Sequence, residues 1–198
     1  MLVENENTNT PPVNALLALM CFHASRFDAR VDKNGELIWY EEQDTNLWNA
    51  ELISSGAYFL KSAATGLRLS KYHLEAGIAY WNTQKADTKE KWENILQLYN
   101  RLLQLEYSPI AALNRTYALS KANGKQQAID EAEKLKLPFN QFYFALLGEL
   151  YTDIDKWKGW DCESIFKKRR TDHFEVQRQY TEANNRKENW LAGGYKEF

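Results

Sequence analysis

Residues 108–125, SPIAALNRTYALSKANGK, contain a complete helix together with the signals for both of its ends. Ser108 is a favoured N-cap residue, and Pro109 occupies the first helical position, where its missing N–H costs nothing. Asn123-Gly124 supplies a left-handed C-terminal stop. The apolar residues between these signals recur at spacings of three and four, which predicts a helix with one buried face.

The same stretch repeats after 34 residues. Sliding the chain by that distance aligns Ala111 with Ala145, Leu113 with Leu147 and Tyr117 with Tyr151. Thirty-four residues is the tetratricopeptide period, in which small residues let antiparallel helices approach closely. The pattern favours a tetratricopeptide-like binding scaffold, while a chance match between two short helical hairpins remains the alternative.

Helical periodicity extends through most of the chain. We predict an all-α fold of antiparallel hairpins with about seven helices and one irregular turn near residues 31–43, at Asp32-Lys33-Asn34-Gly35. Asp44, Ser70 and Asp87 are the expected caps of the second, third and fourth helices. The predicted helices cover 13–30, 44–66, 87–103, 108–123, 125–137 and about 140–152, and a further helix begins at Ser70 and carries Leu74, Ile78 and Trp81.

Composition divides the chain into three parts. Residues 1–11 read as a flexible polar leader, 12–153 as the helical domain, and 154–198 as an atypical basic and aromatic tail. The tail contains Lys167-Lys168-Arg169-Arg170, which we interpret as a solvated helical face or loose terminus, with nucleic-acid contact as the alternative.

Charge and motif content narrow the function classes. Twenty-five Lys and Arg against 27 Asp and Glu give a net charge of −2, which argues against a dedicated nucleic-acid binder. The N-terminus lacks the pattern of a signal peptide, so we expect a cytoplasmic protein. The three dispersed histidines and two distant cysteines indicate no metal site, and nucleotide-binding motifs are lacking. We therefore expect no cofactor and no enzymatic activity.

One charged cluster stands out near the irregular turn. Arg26 and Arg30 are four residues apart and are expected on one helical face, with Glu41, Glu42 and Asp44 just beyond the turn. One interpretation is an arginine–carboxylate network that pins the turn onto the first two helices. The alternatives are a partner-facing surface or, because carboxylates occur here among 27 aromatic residues, the site of a helical carbohydrate-active enzyme.

Residues 15–30, ALLALMCFHASRFDAR, introduce a longer ordered pattern. A leucine-rich helix leads into SR-x-x-AR, an Asp/Gly turn with an apolar run, and QD-x-x-x-W. This order resembles the long C-terminal extension of a group of bacterial extracytoplasmic-function RNA polymerase sigma factors, whose extension carries tetratricopeptide-like helices. The matching residues are Ser25, Arg26, Ala29, Arg30, residues 32–38, Gln43, Asp44 and Trp48.

The resemblance covers about residues 13–152 and continues through Ser108-Pro109 and Leu113-Asn114-Arg115. Trp81-Asn82 replace a common Cys-His pair, the tail after Asp155 lacks the closing repeat, and the polymerase- and promoter-binding domains of such sigma factors have no counterpart here. The resemblance implies a regulatory protein-interaction domain that modulates transcription initiation by contacting RNA polymerase, the sigma domains or another regulator, without binding DNA itself. A free-standing adapter is the alternative. The candidate interaction residues are Arg26, Asp28, Arg30, Gln43, Asp44 and Trp48.

Overall fold

The computed structural model describes residues 8–33, 35, 38, 40–65 and 68–168. These residues form nine α-helices and two short 3-10 turns, and their only β-type residue is an isolated bridge at Val31. The predicted all-α array of helical hairpins is confirmed. The helices are α1 (Pro11–Ala24), α2 (Phe27–Arg30), α3 (Ala50–Ala63), α4 (Lys71–Asn82), α5 (Lys89–Leu105), α6 (Pro109–Asn123), α7 (Lys125–Leu135), α8 (Gln141–Tyr151) and α9 (156–168).

Most helix boundaries follow local capping chemistry. Ser108 Oγ accepts from the backbone N–H of the third residue of α6, and Asn140 Oδ1 accepts the backbone N–H of Phe142 at the start of α8. Ser70 is the N-cap residue immediately before α4, and its backbone N–H donates to His73 Nδ1 at 3.1 Å. Gly124 ends α6 with a φ of +101°, which favours glycine. These boundaries agree with the sequence-based predictions.

The first predicted helix is interrupted. Helical spacing predicts one helix over 13–30. In the structure α1 ends at Ala24, and a separate short helix, α2, begins at Phe27. The carbonyl of Ser25 accepts the N–H of Asn49 at 2.8 Å, while the Ala29 N–H bonds the Arg26 carbonyl at 3.2 Å instead. A long-range bond thus replaces a helical one, and this break changes the direction of the chain at Arg26.

Two predicted caps were assigned to the wrong residue. Asp44 caps only the 3-10 turn Thr45–Leu47, and Asn49 caps α3, its Oδ1 accepting the Leu52 N–H at 3.0 Å. Thr88 caps α5, whereas Asp87 accepts the indole N–H of Trp92. The predicted end of the second helix at Gly66 lies outside the described residues.

The described residues form two compact units, one up to Gln127 and one from Ala128. In the first unit α1 packs on α3 and α4, α4 packs on α5, and α5 packs on α6. Phe22 is 1% exposed and belongs to a core cluster with Ala18, Ala76 and Ala79. The sequence-based division near residue 153 stays a prediction, because it rests on composition and resemblance and not on packing.

The second unit contains α8 packed against its neighbours. Tyr151 Oη of α8 donates to Glu133 Oε1 of α7 at 2.5 Å. A Cβ at Gly148 would lie 3.6 Å from the Gly159 carbonyl oxygen of α9, so these two helices approach closely. The first part of the atypical basic and aromatic tail, residues 156–168, thus forms a helix, and Lys167 and Lys168 lie exposed on it. Trp157 and Trp160 are 82% and 66% exposed. Because these large apolar residues do not lie on a buried face, hydrophobic periodicity does not predict the helix.

Candidate functional site

Three separate segments of the first unit meet at Arg26, the residue at the break after α1. Its Nε and Nη2 donate to Gln43 Oε1 at 3.2 and 2.6 Å. The guanidinium lies 4.7 Å from the ring centre of Tyr40 and 5.2 Å from that of Trp48. Gln43 Nε2 in turn donates to the Ile38 carbonyl at 3.2 Å. The arginine thus holds the chain on either side of the 3-10 turns against α1.

Burial shapes the electrostatics of this cluster. Arg26 is only 6% exposed, and loss of solvation, followed by the charge of Arg30, lowers its pKa to about 10. A guanidinium with that pKa is still protonated at neutral pH. Arg26 therefore remains a buried cation, held by a neutral amide oxygen and two aromatic faces.

Lys91 of α5 is a second buried cation, at 2% exposure. Its Nζ donates to Tyr40 Oη at 2.7 Å and to the Gln84 carbonyl at 2.9 Å, and lies 5.3 Å from the Trp92 ring centre. Burial lowers the pKa of Lys91. Sequence reasoning missed both Lys91 and Tyr40. A signal for Lys91 was present, because it shares the four-residue spacing of Ile95 on the buried face of α5.

The irregular turn is also tied to α6. Glu41 forms an ion pair with Lys121 and accepts the Tyr117 hydroxyl at 2.7 Å. These hydrogen bonds, the one from Lys121 foremost, lower the pKa of the Glu41 carboxyl. The ring of Tyr117 meets the ring of Trp92 edge-on at 5.5 Å. The turn therefore contacts α5 and α6 as well as α1.

The predicted arginine–carboxylate network is replaced by a different set of contacts. Among the described residues, Arg26 bonds the amide of Gln43, and Arg30 Nη2 contacts His23 Nδ1 at 3.0 Å. Burial and the two arginines lower the pKa of His23, so the neutral ring accepts this hydrogen bond. The fold directs Glu41 toward Lys121 instead, because the 3-10 turn places Gln43 beside the guanidinium.

The six candidate residues are thus divided by the structure. Arg26, Gln43 and Trp48 form one cluster, and Arg30 lies beside it. Asp28 is exposed on α2, and Asp44 is exposed at the start of a 3-10 turn. The indole N–H of Trp48 is buried without a hydrogen-bond partner.

An open groove of about 520 Å³ adjoins this cluster, lined by residues of α1, α4, α5 and α6. Its apolar lining includes Leu19, Ile78 and Leu102. A second cavity of about 220 Å³ shares Arg26 and Tyr99 with the groove. Burial raises the pKa of Tyr99 to about 12, so its hydroxyl, which hydrogen-bonds the Asn114 side chain, stays protonated at neutral pH.

The groove has a basic end and an acidic end. Lys71 at the start of α4 bonds Glu106 just beyond α5 at 3.0 Å, and Tyr40 connects Asn82 at the end of α4 with Lys91 near the start of α5. The two helices are therefore antiparallel, and α4 spans about 16 Å between these contacts. Glu75 and Glu106 lie near Lys71 at one end of the groove, and Arg26 lies near Asn82 at the other end.

Within the described ranges, no group of three or more His, Cys, Asp or Glu side chains is placed to hold a metal ion. None of the helices described has the length and apolar character required to cross a membrane.

Comparison with known proteins gives two matches. Residues 1–64 match the model of a family of unknown function, DUF6596. "Uncharacterized protein R00370" of Rhizobium meliloti (strain 1021) is 33% identical over 150 residues, which are 74% of this chain and 35% of the relative. The chain thus spans about a third of the length of that relative. No solved structure matches.

Proposed function

We propose that this chain is a regulatory protein-interaction domain of an extracytoplasmic-function-type sigma factor, and that it modulates sigma-dependent transcription initiation. The observation that carries the proposal is the convergence of Arg26, Gln43 and Trp48, which belong to separate motifs of the sequence resemblance. They form a buried cluster beside an open groove. Because Arg26 also lines the groove, contacts that fix its position also fix part of the groove wall.

The partners in this proposal are core RNA polymerase, the promoter-binding sigma domains or another regulatory protein. The match to a relative of which about two thirds lies outside the aligned region is compatible with a domain of a larger regulator. The proposed role is binding and not catalysis, and it requires neither a cofactor nor direct contact with DNA.

The direct experiment is a pull-down of the purified chain against core RNA polymerase and separately expressed sigma domains. A salt concentration of about 0.15 M reduces the Debye length to about 8 Å, so weak long-range attraction is screened. Capture of either partner by the folded chain supports the proposal. Absence of capture, with the helical circular dichroism spectrum intact, contradicts it.

A substitution in the parent sigma factor tests the cluster in its functional setting. Arg30→Ala is expected to change reporter transcription without a large loss of stability, because Arg30 is half-buried and its side-chain contact is with His23. Asp28→Ala is the matched control, since Asp28 is exposed on the same short helix. Unchanged stability together with unchanged reporter output would exclude a functional role for Arg30.

A free-standing tetratricopeptide-like adapter is the second candidate. The α8–α9 hairpin favours it, because Gly148 and Gly159 meet at the close helix approach expected from the repeat, and Trp157 is left exposed. Genomic context separates the two candidates. Coding sequence for sigma domains immediately upstream favours the sigma-factor proposal, and an isolated reading frame favours the adapter.

A further inference from the structure

The basic end of the groove contains cations without counter-charges. Arg26 and Arg30 line this end and form no ion pair with any carboxylate in the part of the chain that the structure describes. Within the groove lining, unpaired positive charge therefore lies at this end, around Arg26 and Arg30, because the two lining carboxylates, Glu75 and Glu106, lie at the other end.

Such an arrangement is unfavourable in the absence of a partner. A buried cation loses its hydration, and hydrogen bonds to neutral acceptors replace only part of it. Only 6% of Arg26 is exposed, yet this residue lines both the groove and the smaller cavity. Arg30 and His23 line the groove beside it. An anion entering the groove would therefore meet a guanidinium that is already desolvated and held in place.

The other end of the groove limits the kind of anion. Glu75 and Glu106 face a single cation there, Lys71, so that end carries excess negative charge. A polyanion following the whole groove would be repelled at this end. The apolar lining between the ends, with Leu19, Ile78 and Leu102, suits aliphatic or aromatic side chains.

We propose that the basic end of this groove binds the carboxylate of an acidic residue in a partner protein, while neighbouring apolar residues of the same segment lie along the groove. The assignment of this carboxylate to a partner protein rests on the proposed interaction function. Arg30 and the free edge of Arg26 provide the planar N–H donors that carboxylates prefer. Toward the acidic end of the groove, the partner segment carries neutral or basic residues.

A positional peptide library tests the charge pattern without knowledge of the partner. Five extended residues span about 16 Å, so peptides of about nine residues cover the groove. The intact chain is expected to select Asp or Glu at one position, followed by apolar residues. In fluorescence anisotropy, the selected peptide is expected to bind about tenfold more tightly than its Asn or Gln copy, a difference of about 1.4 kcal/mol.

Two variants of the chain assign the site. Arg30→Gln is expected to reduce affinity for the acidic peptide to the level of the amide copy. Lys71→Gln, which removes a cation from the opposite end of the same groove, is expected to retain the preference for the acidic peptide. Thermal melting of each variant confirms that it is folded.

The outcomes are distinct. Failure to select acidic residues, or equal binding of the acidic peptide by wild type and Arg30→Gln, overturns the inference. Displacement of the peptide by equimolar acetate or inorganic phosphate assigns the site to a free anion and also overturns it. In the parallel pull-down, equal capture of polymerase or sigma domains by Arg30→Gln refutes the inference but leaves the proposed function standing. Arg30-dependent binding of the acidic peptide without such capture supports the inference and contradicts the sigma-factor proposal.

Discussion

Substitution of alanine for two helical glycines measures how tightly α3 packs on α1 and how tightly α4 packs on α5. A Cβ built at Gly56 of α3 lies 2.7 Å from Phe22 Cε1 and 2.8 Å from Phe22 Cδ1. Phe22 is buried in the core cluster, and its ring lies 5.8 Å from that of Tyr80, so movement of the ring disturbs other contacts. At Gly77 of α4 the nearest atom is a methyl group of Leu98 at 3.2 Å, on a flexible side chain.

The two substitutions share one energetic term and differ in another. Each substitution replaces a mid-helix glycine with alanine, and this replacement stabilises the helix by about 1 kcal/mol. Gly56→Ala additionally overpacks the core, at a cost of about 1–3 kcal/mol, whereas Gly77→Ala requires only a small movement of Leu98. Because the helix term cancels in the comparison, Gly56→Ala is expected to be about 1–3 kcal/mol less stable than Gly77→Ala.

Urea unfolding of the two variants and wild type, followed by circular dichroism, measures this difference directly. Gly77→Ala is expected to be equal to wild type or slightly more stable. A Gly56→Ala protein as stable as Gly77→Ala would refute the close packing of α3 on Phe22, and with it the position of the groove wall that Phe22 helps to form.

Three further predictions concern the cap, the turn and the second unit. Asn49→Ala is expected to cost about 1 kcal/mol of unfolding free energy because it removes the cap of a 14-residue helix, while Asp44→Ala costs less; equal losses would contradict this capping assignment. The lowered pKa of Glu41 stabilises the fold above the carboxyl's ordinary pKa of 4.5, and that stability is lost as the pH falls through the lower folded-state value. Glu41→Gln should therefore be less stable at pH 7 and less sensitive to acid between pH 5 and 3, and an unchanged pH profile of unfolding would argue against the ion pair. Tyr151→Phe removes a hydrogen bond to a carboxylate of α7 and is expected to cost about 1–3 kcal/mol, measured by unfolding of the full chain; no loss would show that this bond contributes nothing to the second unit.

The helix-boundary predictions succeeded where the signal is local. Ser70, Ser108 and Asn140 cap the helices they precede, and Gly124 ends α6. Each of these interactions joins residues within about one turn of each other, so neighbouring letters in the sequence contain the necessary information. The errors at Asp44 and Asp87 occurred where a second potential cap follows within a few residues. Asp44 caps a 3-10 turn instead, and Asp87 accepts the indole N–H of Trp92.

The candidate site was only partly predictable. The motif order singled out Arg26, Gln43 and Trp48, which the fold brings into one cluster, but pattern alone favoured carboxylates as the partners of the arginine. Lys91 and Tyr40 were overlooked because a lysine on a helix is usually exposed and a tyrosine in an apolar run reads as ordinary core. Their importance depends on contacts across more than 50 positions of the chain, since Tyr40 and Lys91 are 51 residues apart.

The sequence by itself determined the helical class, most helix boundaries and the end of α6 at Gly124, because these follow from periodicity and short-range hydrogen bonds. Only the tertiary structure decided that α1 breaks at Ser25, where the carbonyl bonds Asn49, and that Arg26 consequently turns into a buried aromatic cluster. It also decided which charges remained without counter-ions. Burial and pairing depend on residues brought together from distant parts of the chain, and the free energy of a charge depends on those surroundings.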